Sequence, residues 1–182
     1  MEMNGKQHIP VKQDEVWRAL NDPAVLQSCI PGCEAVDKVS DNEYTVALVA
    51  AVGPVKAKFK GRMLLKDLNP PHSYKLAFEG QGGVAGFGKG EAEVSLLPDG
   101  NATVMSYSAR AHVGGKLAQI GSRLIDGAAK KIADEFFTSF NAKLAPTAAA
   151  PVAEAKAGGL PGWVWAVGVA AAAAIAYFVF GR

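Results

Sequence analysis

From residue 114 to 144 the chain repeats apolar side chains at three- and four-residue steps: Leu117, Ile120, Leu124, Ile125, Ala128, Ile132, Phe136 and Phe140. That period predicts one helix of about eight turns, at ~3.6 residues per turn, with a broad apolar side. Arg123, Asp126, Lys130 and Asp134 fall on the other side. Gly121, Gly127, Ala128 and Ala129 leave the middle of the helix short of bulk, so a facing surface is not expected to meet it tightly there.

Upstream the period drops to two, the signature of strands with one buried face. In 55–65, Val55, Ala57, Phe59, Met63 and Leu65 alternate with Lys56, Lys58, Lys60 and Arg62. In 74–80, Tyr74, Leu76 and Phe78 share a face, and in 90–96 Ala92, Val94 and Leu96 do so. In 103–113 the shared parity holds Met105, Tyr107, Ala109, Ala111 and Val113. Segment 44–52 is apolar on both parities and is expected to be well buried; 4–10 can open the series as an edge strand. Gly53-Pro54, Asn69-Pro70-Pro71 and Pro98-Asp99-Gly100-Asn101 are the turns between these segments. Short connections make the five or six strands antiparallel. Two short helices, 13–20 and 24–29, are broken by Asn21-Asp22-Pro23. The architecture this order predicts is α+β: a curved antiparallel sheet wrapped around a long C-terminal helix.

The inward positions are candidate ligand contacts: Phe59, Met63, Leu76, Phe78, Met105 and Tyr107 from the strands, and Leu117, Ile120, Gly121, Leu124 and Ile125 from the helix. Nearly all are apolar, and no Ser–His–Asp set or inward pair of acids is visible, so a binding protein is expected rather than an enzyme. Tyr107 is the one inward group on the late strands that can donate a hydrogen bond and orient a ligand's polar head. The glycine-rich segment 80–88 is no phosphate cradle, because no helix follows it. It reads as a flexible hairpin at a cavity mouth, with Phe87 as an exposed aromatic beside the opening.

Composition adds bounds. The chain has 182 residues and a formal charge of +2, which gives no sign of nucleic-acid binding. Cys29 and Cys33 lack the further ligands a zinc site needs, and neither a metal nor a disulfide is expected. Residues 1–10 carry no apolar signal segment, which places the domain in the cytoplasm. Residues 145–162 are rich in Ala, Pro and Gly and read as a linker after a domain of residues 1–144. Residues 163–180 carry no charge. At 1.5 Å per residue they reach roughly 27 Å, close to a ~30 Å hydrocarbon core, and predict a single-pass transmembrane helix at the cytoplasmic membrane.

Several short motifs carry a family resemblance. They are Asp22-Pro23, then Cys29-Ile30-Pro31-Gly32-Cys33-Glu34, then 53–61 (GPVKAKFKG), and finally Val113-Gly114-Gly115-Lys116-Leu117-Ala118. On these, residues 1–144 resemble the G-subunit family of carbon monoxide dehydrogenase, within the START-like (SRPBCC, helix-grip) superfamily. The resemblance implies a partner, the aerobic molybdenum-containing carbon monoxide dehydrogenase, and a role at the cytoplasmic membrane. With the oily interior it implies a bound respiratory quinone (menaquinone or ubiquinone) or another isoprenoid lipid and no covalent cofactor. A ligand-free membrane anchor or an assembly factor is the alternative.

Overall fold

The computed structural model describes residues 1–145. Seven strands form one antiparallel sheet in the order β1-β7-β6-β5-β4-β3-β2. They are β1 (Glu2–Ile9), β2 (Cys33–Ser40), β3 (Glu43–Val52), β4 (Val55–Asn69), β5 (Ser73–Gln81), β6 (Phe87–Asp99) and β7 (Ala102–Gly114). Helices α1 (Gln13–Leu20) and α2 (Pro23–Cys29) lie between β1 and β2 in sequence, and so join the two edges of the sheet. Asp22 caps α2 by accepting from the Ala24 amide at 2.8 Å, with Pro23 in its first turn.

The C-terminal segment is not one helix. Gly114 ends β7, a single turn α3 (Lys116–Gln119) follows, and α4 runs Ser122–Leu144. Gly121 separates α3 from α4 with φ of +98°, in the region only glycine enters freely, so the helical ladder cannot pass through it. Period alone does not report such a break, because Leu117, Ile120 and Leu124 keep their spacing across it. The strand missed from the sequence is β2: Glu34, Asp37 and Lys38 hide it, and as an edge strand it buries only Val36. Segment 44–52 is less buried than its composition suggests. Tyr44 and Val46 are enclosed, whereas Leu48, Val49 and Ala50 are only half-buried.

α4 touches β1 at one edge of the sheet and β3 near the other. One helix can reach both only if the sheet curls around it. The space so enclosed has two halves. Toward Leu144 it is solid: Ile9, Leu96 and Phe140 have no exposure and Met105 has 3%. Phe136 stacks on Phe140 at 5.5 Å between ring centroids and Tyr107 on Phe137 at 5.2 Å. The buried Thr103 hydroxyl donates to the Val11 carbonyl at 2.8 Å. Toward Gly121 the helix thins, and Cβ atoms built on Gly121 or Gly127 would meet nothing within 4 Å.

Burial raises the phenol pKa values of Tyr44, Tyr74 and Tyr107 above their usual value near 10. The folded protein then holds protons that the unfolded chain releases. Stability from these groups is complete below about pH 10 and declines as pH rises beyond it. Urea midpoints measured across the alkaline range are expected to fall, and to fall less in Tyr74→Phe.

Candidate ligand-binding hollow

Strand pairing builds the floor of the open half. Gly61 of β4 pairs with Gly80 of β5, and Gly80 with Gly88 of β6. The row ends on Val46 and Val113, the partners of Gly61 and Gly88 in β3 and β7. All five share the inward parity. Three adjacent strands therefore offer bare backbone where side chains would otherwise rise, and the hollow exists because of it. It has a volume of about 360 Å³, within the roughly 300–1,000 Å³ typical of small-molecule sites.

Its walls are apolar. Phe59, Met63, Leu76, Phe78 and Leu117, all expected from the sequence, line it. Ile30, Leu48, Ala50 and Val52 line it too and were not anticipated. Arg62 and Glu79 border it from strand positions of the opposite parity, and Arg62 is engaged with Glu43 at 2.6 Å. That guanidinium holds the Glu43 carboxyl below its usual range. Among the described residues, no acid, base or nucleophile occupies an inward position of the lining.

The remaining expected contacts lie elsewhere. Met105 and Tyr107 belong to the packed half, where Tyr107 lies flat between Phe137 and the backbone of Gly5, so it does not orient a ligand's head in the hollow. Phe87 has the same parity as Lys89 and Glu91, on the convex face, and its ring covers Gly114. It stays exposed at the hollow's end of the sheet, as expected, but outside the lining, because its strand parity turns it to the convex face. Gly121 is the exposed break before α4 and lines nothing. Ile120 and Leu124 meet Gly53 at the tip of the β3–β4 hairpin and form a rim, and Ile125 is half-buried beside them without joining the lining. The glycine-rich segment is a built turn. Residues 83–85 form one turn of 3-10 helix with Ala85 at 3% exposure, and Gly86 packs backbone to backbone on Gly114 and Gly115. The signal that finds the site in the sequence is glycine at an inward strand parity, at 61, 80 and 88.

The three glycines are not equivalent. A Cβ on Gly61 would sit 2.9 Å from the Glu79 carbonyl oxygen, whereas on Gly80 its nearest neighbours are at 3.8 Å. Gly61→Ala is expected to destabilise by about 1–3 kcal/mol through forced backbone movement. Gly80→Ala is expected to be neutral or to stabilise by up to about 1 kcal/mol, since it restricts the unfolded chain. Urea denaturation of the two variants checks the opposite signs.

The fold recurs among solved structures. A conserved protein from Geobacillus kaustophilus aligns with a TM-score of 0.75 at 34% identity, over 80% of this chain and 95% of its own. A START superfamily protein from Mycobacterium smegmatis aligns at 0.61 and 9% identity, over 79% and 96%. The Zhui aromatase/cyclase of Streptomyces sp. R1128 aligns at 0.55 and 13% identity, over 79% and 93%. At such low identity the last two show the fold alone, which is START-like. No curated protein matches the chain in sequence. A family model described as the G subunit of carbon monoxide dehydrogenase (CoxG) matches residues 5–145. On a match over that span, this chain belongs to the CoxG family.

Proposed function

We propose that the protein carries a respiratory quinone between the cytoplasmic membrane and aerobic carbon monoxide dehydrogenase, binding the quinone without transforming it. The observation that carries the reading is the hollow: apolar walls, a floor of three glycines, and no reactive group on an inward position. A quinone ring is flat and largely apolar, and its isoprenoid tail avoids water as strongly as the walls do. A volume of about 360 Å³ suits a ring with a short stretch of tail. The dehydrogenase enters as partner through the family's description.

The membrane part of the reading rests on residues 163–180, which lie outside the described residues; among the described residues no helix is long and apolar enough to span a bilayer. The test is to purify the full chain from membranes, extract it with solvent and identify the lipid by mass spectrometry. An isoprenoid quinone in near-stoichiometric amount is the expected result, and recovery of no quinone or comparable lipid overturns the carrier. A ligand-free anchor or assembly factor remains as the reading for that outcome. In that case the outer face of β4 is the surface to change, where Lys58 pairs with Glu34 while Lys56 and Lys60 make no ion pair among the described residues.

A further inference from the structure

We propose that the end of the domain at which the hollow lies docks on the headgroups of an anionic lipid bilayer. The inference rests on the carrier reading and names the surface through which the ligand is exchanged. The β3–β4 tip at Gly53, the 3-10 turn at residues 83–85 and the Gly121 elbow all stand at this end, because antiparallel pairing brings one set of turns together. The hollow reaches it through Val52, Gly88, Val113 and Leu117, while the other end is filled by the aromatic core.

Two features of this end match a membrane surface. Val84 is 86% exposed, Leu124 53% and Phe87 42%, an apolar set with no cover among the described residues. Around them stand Lys56, Lys116 and Arg123, exposed and without an ion pair among the described residues. In segments 51–58, 81–88 and 113–127 the one acidic residue is Asp126. Apolar side chains ringed by free cations are the chemistry that partitions into an anionic headgroup layer. The opposite end provides the contrast. Its exposed apolar residues Val39, Leu68 and Leu97 each lie within two residues of an aspartate: Asp41, Asp67 and Asp99. Asp41, Asp67 and Asp99 pair with Lys38, Lys75 and His8, so carboxylates offset the basic groups at that end, whereas the cations around the hollow's end are not offset. A ligand leaving the hollow there passes from oil to oil without crossing water.

The test is hydrogen–deuterium exchange of the full chain with nanodiscs of phosphatidylcholine alone and of phosphatidylcholine mixed with phosphatidylglycerol. Exchange at 51–58, 82–88 and 116–124 is expected to slow in the anionic discs, with 97–102 unchanged. Each basic residue contributes roughly fivefold to surface partitioning, so the triple charge reversal K56E/K116E/R123E should lose at least roughly a hundredfold and its protection with it. All three side chains are exposed, so the variant folds. Equal exchange in both lipids, or equal protection at 97–102, overturns the proposal. Protection that appears only when the dehydrogenase is added to neutral discs also overturns it and assigns the surface to a protein. Absence of lipid protection in the unsubstituted chain with quinone bound sinks the docking alone, whereas protection without quinone sinks the carrier and leaves the docking.

Discussion

Replacing Gly80 with tryptophan is expected to close the hollow to the proposed quinone while leaving the fold intact. The Cβ has ordinary contact distances there, with its nearest neighbours at 3.8 Å, and the residues beside it across the strands are Gly61 and Gly88. The indole therefore rises into space that is already vacant and competes with the ring of the ligand. Loss of burial equivalent to about four CH2 groups at ~0.8 kcal/mol each removes roughly 3 kcal/mol, about a hundredfold in affinity. Quinone recovered per protein is the readout, with the urea midpoint and circular dichroism as controls for folding. A carrier loses electron transfer to quinone while its membrane attachment persists; an anchor loses neither. Native quinone content in this variant would place the ligand somewhere else. The substitution that looks natural on a helical wheel, Gly121→Trp, tests nothing, because that position faces open space at a φ of +98°.

Phe140→Ala produces the largest loss of stability expected of any single change in the solid half. The side chain has no exposure, stacks on Phe136 and sits in the same cluster as Leu96 and Ile9. Truncation removes its transfer energy and leaves a cavity between helix and sheet, about 3–5 kcal/mol in all. Against a total of roughly 5–15 kcal/mol for a domain, that brings the protein near its unfolding threshold at ambient temperature. Phe59→Ala, on the half-open wall, is expected to cost less, because its ring is only partly enclosed. Urea melts of the pair measure the difference between the packed and the hollow halves directly.

The sheet was legible because its strands alternate. Lys56, Lys58, Lys60 and Arg62 mark the outer face of β4 as clearly as Phe59 and Met63 mark the inner one. Charged edge strand β2 lacked that contrast, and the break at Gly121 lacked any, since apolar spacing continues on both sides of it. Part of the site was legible for the same reason. Parity gives the direction of a side chain but not its position along the strand, so Met105 and Tyr107 share a face with the lining while lying in the packed half. The floor was illegible to a search for side chains, because it consists of their absence. Gly61 reads as part of a motif, and Gly80 and Gly88 as the ends of a loop.

A floor of bare backbone also sets how long a guest stays. The polar groups of Gly61, Gly80 and Gly88 are spent on cross-strand pairing, so a planar molecule lying on them is cushioned but not gripped. With no polar side chain on an inward wall position among the described residues, the proposed guest would be held chiefly by shape and by dislike of water. Naphthoquinone and benzoquinone rings would then differ little in fit, and departure would be quick once an oilier destination touched the opening. For a shuttle, that looseness is what permits many round trips.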